Sequence, residues 1–462
     1  MNSSQRKGGA QPTATDTGPP FLLTTVVLLG SMIVSQAMPW AKEAIAGNVP
    51  PLLAQLHPSI GPWLPLAIAA ILAAIVLLPV SLAWSRPAFL IGVVSIGFAV
   101  AVLLAVQAHG LSAISAPFRR PLEYYASVPL VRAMGVRAFA THFPDLGSRL
   151  SLHASTHGPS AVLFLWFLWK ITGGSLLGVS LFVALIGVAG AGPTYAIARE
   201  LADERSARLA TLLFVCAPGV LIYSATSMDV VFMTVMACAL AALVRYPRSA
   251  VWGLAAGVCW AIALSFTFGA FVIGLFAIGL GIVALRNGEA TVQRILVRAS
   301  LVVCGLVVGC LILRLALGMN LIADFHAASR AHYHDPSRAR PYLYWVFANI
   351  PAFLWVAGIV QTALFLYWTR LAWRARTFGF EAVLIGVVAL SSLSGVFLGE
   401  VDHIWLFFIP PLATVAGMGL HRMLLEDASP STGLPPSPTL RKVLFGSYSQ
   451  AILIQLLLYV YW

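Results

Sequence analysis

The chain has 462 residues, 60% of them hydrophobic and only 10% charged, with a formal net charge of +12. A mean hydropathy of +0.89, with apolar runs near the ~20 residues that cross ~30 Å of hydrocarbon, specifies an all-α polytopic membrane protein rather than a soluble enzyme. The excess positive charge is mostly topological, so nucleic-acid binding is not indicated despite a pI near 9.8.

Residues 1–20 are polar and rich in Gly, Ser, Thr and Pro, and read as a disordered cytoplasmic N-terminus. The first apolar run, 21–38, is long enough to span rather than be cleaved as a signal peptide. Spans are predicted near 21–39, 62–84, 88–108, 175–197, 207–223, 229–245, 250–266, 268–285, 297–317, 342–367, 379–398, 403–421 and 445–461, about thirteen in all. The run 159–171 is too short to cross and is predicted as an interfacial or re-entrant helix. Counting it so leaves Arg86, Arg199, Arg205, Arg208, Arg245, Arg248, Arg286, Arg294, Arg298, Arg370, Arg374 and Arg376 in cytoplasmic turns, as the positive-inside rule requires. Residues 21–87 read as accessory transmembrane helices and 88–421 as the membrane core. A cytoplasmic linker over 422–442 and a last transmembrane helix over 443–462 follow.

Cys216, Cys238, Cys259, Cys304 and Cys310 all sit in apolar runs and read as buried small hydrophobes. Arginine supplies 24 of the 28 basic residues, which suggests a GC-rich bacterial genome and hence a bacterial cytoplasmic (inner) membrane. Walker and Rossmann glycine patterns are absent, so ATP-driven or nicotinamide chemistry is unsupported.

The loop 109–158 is the long polar interruption early in the chain, and the predicted topology puts it outside with the segments 224–228, 318–341 and 399–402. That face collects Glu123, Asp145, Asp229, Asp324, Asp335, Glu400 and Asp402, together with His153, His157, His326, His332, His334 and His403. The loop's arginines break the positive-inside trend, and guanidinium forks match phosphate bidentately, so Arg119 and Arg120 are candidate phosphate ligands. Anchoring of the third span by snorkeling is the bland reading of the same pair. Arg338 and Arg340 are candidates for lipid-phosphate contact in the 318–341 loop.

His153 and His157 stand at i and i+4, as zinc ligands can, but no third ligand lies near them in sequence. A divalent metal is conceivable but unsupported. Pro159 suits the first turn of the short helix, with Ser155 and Thr156 as candidate caps. Asp229, Glu400 and Asp402 each stand at a helix N-terminus, where a carboxylate is favourable whatever the function.

The segment Pro121-Leu-Glu-Tyr-Tyr-Ala-Ser-Val-Pro-Leu-Val-Arg-Ala-Met-Gly135 resembles the opening of the first external loop in GT-C glycosyltransferases, where an acidic pair precedes an aromatic residue and a juxtamembrane helix. His153-Ala-Ser-Thr-His-Gly-Pro159 resembles their His-Pro-Pro motif, and the turn into Asp229 their entry to the next outward-facing helix. Arg340-Pro-Tyr-Leu-Tyr-Trp345 and Glu400-Val-Asp-His-Ile-Trp405 resemble later external motifs of actinobacterial-type members. The relatives in view are protein O-mannosyltransferases, lipid A aminoarabinose transferases and arabinofuranosyltransferases.

This resemblance implies inverting transfer of a sugar from a polyprenyl-phosphate donor to a cell-envelope glycan or lipid acceptor at the outer face. A carboxylate base deprotonates the acceptor, cations stabilise the departing phosphate, and membrane lipids surround a groove for the tail. Leu122 stands where the family's catalytic Asp would be. Either Glu123 is the base, or Asp145 or Asp229 takes the role, or catalysis is lost. The resemblance assigns donor or acceptor contact to His153, His157, Tyr124, Asp402 and His403. The rival readings are a flippase for lipid-linked saccharides and a catalytically silent GT-C relative that acts in assembly.

Overall fold

The computed structural model describes residues 18–38, 49–427 and 438–460. The expected N-terminal tail lies almost wholly outside the described residues, and the expected linker partly so. A backbone in hydrocarbon has to satisfy its own N–H and C=O groups, and this sequence does so by helices. Seven described helices are long and apolar enough to cross a bilayer: Leu64–Ser81, Arg86–Val106, Leu176–Leu201, Asp229–Arg248, Phe268–Arg286, Val292–Leu317 and Val401–Glu426.

The remaining expected spans are also helical, but shorter, broken or more polar. Phe21–Ala37 and Ala250–Phe266 have 17 residues each and Phe380–Leu393 has 14. The expected 207–223 span divides into Glu204–Val215 and Pro218–Tyr223, because Pro218 supplies no N–H to continue the first helix. The single span expected over 342–367 is instead two helices, Tyr342–Ala357 and Ile359–Arg374, bent by 109°. Gly358 at φ +109° makes the break, a conformation that L side chains rarely adopt. Gln450 stitches it, accepting from the Ile359 N–H at 2.8 Å and donating to the Trp355 carbonyl at 2.8 Å.

Ser160–Ile171 is the expected short helix, with 12 residues, or ~18 Å. Arg132 of the first loop lies over the Trp169 ring at 4.4 Å, which fixes the helix beside that loop. Ser155 and Thr156 do not cap it. Their hydroxyls turn back to the Leu152 and His153 carbonyls, at 2.7 and 3.2 Å. One small sheet departs from the all-helical expectation: Ala54–Leu56 pairs antiparallel with Leu458–Val460, so the last helix returns its end to the first long connection.

Helices 250–266 and 292–317 meet through glycine. A Cβ at Gly257 would fall 2.1 Å from the Val302 carbonyl oxygen, and one at Gly305 2.2 Å from the Leu254 carbonyl oxygen. Where lipid is as apolar as the side chains, such backbone contact is what holds helices together. Gly305→Val should therefore destabilise the detergent-purified protein by ~1–3 kcal/mol, the range typical of overpacking, and so lower its melting temperature. Gly386→Ala, with nothing within 4 Å of its added Cβ, should leave it unchanged; equal melting of both variants would refute the close-packing account.

Candidate active site

Four stretches distant in sequence converge at one end of the bundle: 119–127, 151–158, 223–232 and 398–405. The first two are laced together by local polar contacts. The His153 N–H donates to the Leu122 carbonyl at 3.1 Å, and the Ser151 N–H donates to the Ser127 hydroxyl at 2.9 Å. Gly158 docks the second stretch on the end of the 250–266 helix, its N–H donating to Phe266 O at 3.2 Å. A Cβ there would sit 2.1 Å from the Ser265 carbonyl oxygen, so glycine is required before Pro159.

Tyr124 forms the floor. It is buried, its ring 5.8 Å from His153, 5.3 Å from His157 and 5.7 Å from Phe232. His157 stacks on Phe232 at 5.3 Å, and its Nδ1 lies 3.0 Å from the His153 carbonyl oxygen. With Nδ1–H donating to that carbonyl, Nε2 is left as an acceptor. Burial pushes the His157 imidazole down to about 4 and lowers His153 as well, so His157 is neutral at pH 7.

A relay of charged groups crosses the same end. The Ser227 hydroxyl donates to Asp229 Oδ2 at 2.7 Å, and His403 Nδ1 meets the same oxygen at 2.8 Å. His403 Nε2 is 3.9 Å from Glu400, which pairs with Arg340 at 2.5 Å. Asp402 is buried beside them and accepts from the Tyr223 hydroxyl at 2.9 Å. Asp229, Asp402 and Glu400 are thus each held by a donor.

Glu123 differs. Its carboxylate accepts no hydrogen bond among the described residues, and His153 Nε2 approaches only to 3.9 Å. Burial, and next the negative charge of Asp229, raise its pKa to about 7, against which His403 and Arg120 pull only partly.

The other expected residues divide. Arg120 is half-buried, donates to the Tyr459 hydroxyl at 2.6 Å and reaches Glu123 electrostatically. Arg119 is exposed. Arg338 donates to the Gly395 carbonyl at 2.8 Å, and Arg340 to Leu398 O at 2.9 Å besides its ion pair. Asp145 is exposed in the Phe143–Asp145 turn, outside the converging stretches. Leu122 is 55% exposed while the Glu123 side chain is 14% exposed, so the two neighbours face differently. Among the described residues no three His, Cys, Asp or Glu side chains are grouped to hold a metal ion.

Glu400, Tyr223 and Ser227 enter the relay without having been singled out as site residues. Their partners lie 60 residues away for Glu400 and 179 for Tyr223, which no local spacing reveals. Local signals existed for Ser227, two residues before Asp229, and for Glu400, which opens the Glu400–Trp405 motif.

The family described as dolichyl-phosphate-mannose-protein mannosyltransferase matches residues 156–313, about a third of the chain. Among solved structures, ArnT from Cupriavidus metallidurans bound to undecaprenyl phosphate is similar, with TM-score 0.53, 17% identity, and coverage of 79% of this chain and 77% of that one. The archaeal oligosaccharyltransferase AglB from Archaeoglobus fulgidus, in complex with an inhibitory peptide and a dolichol-phosphate, has TM-score 0.51 and 14% identity, covering 81% of this chain and 56% of that one. At such identities the likeness is one of fold. No curated protein matches the sequence.

The Glu123 environment has a thermodynamic consequence. Unfolded, the group releases its proton near its ordinary 4.5; folded, near 7. The folded state then binds more protons in between, so this group's contribution to stability declines as pH rises from about 4.5 to about 7 and stays low above. Glu123→Gln should therefore melt higher than the parent at pH 8, and the gap should close towards pH 4.5. A lower melting temperature at pH 8 would show instead that the fold stabilises the ionised carboxylate.

Proposed function

We propose that this chain, a polytopic membrane glycosyltransferase of the GT-C superfamily, moves a sugar from a polyprenyl-phosphate-linked donor to a cell-envelope glycan or lipid acceptor. The reading includes the sidedness expected from the arginine pattern, with the N-terminus cytoplasmic and the site on the outer face of a bacterial cytoplasmic membrane.

The carrying observation is Glu123: a largely buried carboxylate that accepts no hydrogen bond among the described residues, while Asp229, Glu400 and Asp402 nearby are each held by a donor. A general base works best with a pKa near the working pH, and burial brings Glu123 to about 7. In the proposed step the acceptor hydroxyl gives its proton to Glu123 as its oxygen bonds to the anomeric carbon. The bond from that carbon to the lipid-phosphate oxygen breaks, and the phosphate departs with the bonding pair. Arg120, with Arg119 beside it, stabilises the negative charge that develops.

The remaining residues take supporting parts. Asp229 is less suited to be the base, since Ser227 and His403 occupy its Oδ2. His157, neutral and oriented by the His153 carbonyl, offers Nε2 to a substrate hydroxyl. Arg338 and Arg340 serve a donor phosphate only if they exchange their present carbonyl and Glu400 contacts for it. The undecaprenyl phosphate held by the similar ArnT supports a polyprenyl carrier here.

Glu123→Gln should reduce transfer of radiolabelled sugar from polyprenyl-phosphate donors by ~10²–10⁴-fold. In the parent, kcat/KM should rise with pH through about 7, as the base loses its proton, and Glu123→Gln should lack that limb. Transfer that survives in Glu123→Gln with its pH profile intact would move the base to another residue, with Asp229 next to be tested.

A further inference from the structure

The end of the bundle opposite the candidate site holds a cavity of about 900 Å³ that sugar transfer does not use. It lies between the Ala250–Phe266, Val272–Arg286 and Val292–Leu317 helices, and its lining runs from Tyr246 to Trp260. On the Val272–Arg286 helix the lining extends from Gly274 to Leu285, a rise of ~16 Å, half of a ~30 Å hydrocarbon core. The cavity therefore has the depth of one leaflet and, with Gly281, Ile282 and Ala299 among its walls, an apolar interior.

A second pocket of about 400 Å³ adjoins it, sharing Tyr246, Pro247 and Arg298 and adding Arg248 and Arg294. Acids are missing from the lining of this smaller pocket. Arg248 is paired with Glu200 at 2.6 Å, and Arg298 stands 5.7 Å from the Tyr246 ring. Arg294 and Arg298 form no ion pair among the described residues. Along the larger cavity the acids are engaged: Glu200 by Arg248, Glu381 by the Gly379 N–H at 2.7 Å, and Glu289 by Asn287 at 3.3 Å. Two unpaired guanidinium groups thus stand at the mouth of a leaflet-deep apolar slot.

We propose that this is a binding site for an anionic phospholipid of the leaflet opposite the active face. Its phosphate sits on Arg294 and Arg298, and an acyl chain fills the slot beside Trp260. Charge complementarity selects the headgroup, and the depth of the slot selects a membrane lipid over a soluble anion.

The test is intact-complex mass spectrometry of the full chain, released from detergent with phosphatidylglycerol or phosphatidylcholine, alongside Arg294→Gln/Arg298→Gln and the slot-filling Ala299→Phe. Ala299 is exposed along the cavity, and lipid-free melting temperatures verify that each variant is folded. The parent should retain phosphatidylglycerol about tenfold over phosphatidylcholine. The double variant should lose that preference, and Ala299→Phe should lose the tightly held lipid. Equal retention of both lipids by the parent, or a preference unchanged in both variants, would overturn the proposal. Displacement by a polyprenyl phosphate but not by phosphatidylglycerol would overturn it too, assigning the slot to a donor tail.

Discussion

The contact between the His403 imidazole and the Asp229 carboxylate, 2.8 Å long, joins the starts of two membrane helices that lie 174 residues apart. Neither group is tolerable there alone, since a buried charge without a partner is costly. Together they anchor a chain of neighbours: Ser227 on one side, Glu400 and Arg340 on the other, with Asp402 and Tyr223 packed behind. Glu400 meets its partners with its backbone in the left-handed region, at φ +61°, a conformation uncommon for a residue with a side chain.

Glu123 owes its character to this arrangement. The negative charge of Asp229 adds to burial in raising its pKa, while His403 offsets part of the effect. Burial is the larger cause, and the pair modulates the pKa of this carboxylate on a third segment. The loop that presents Glu123 is held by neutral contacts, the His153 and Ser151 amides and the Gly158 docking on the 250–266 helix, so its position is not set by the charge it carries. Separating placement from charge in this way lets a destabilised carboxylate persist in the native state.

The membrane supplies the second constraint. Helices that cannot be driven together by the hydrophobic effect meet through glycine at 257, 305 and 309, where backbone approaches backbone. Breaks at Pro218 and Gly358 relieve the helices where segments have to turn, and Gln450 restores the hydrogen bonds that the second break would leave open. Polar chemistry is consequently confined to the two ends of the bundle, with the acid-and-histidine relay at one and the arginine-lined mouth at the other.

The sequence by itself determined the class, most of the helical segments, the short Ser160–Ile171 helix and the candidate site stretches, because hydrophobic run length and polar interruptions are local properties. Glu123, His153, His157 and Asp229 were visible as polar residues in the segments between apolar runs, and the GT-C resemblance of their surroundings was legible before any contact was known. Tertiary structure alone decided which acids are restrained and which is not. It set Asp145 apart in an exposed turn, tied Arg340 to Glu400, brought Tyr223 to Asp402 and left Glu123 largely buried with no donor among the described residues. It also bent the 342–374 segment by 109° and paired 458–460 with 54–56. The physical reason is range: a hydrogen bond or a burial energy depends on which atoms lie within a few ångströms, and residues 60 to 179 positions apart meet only when the bundle has closed.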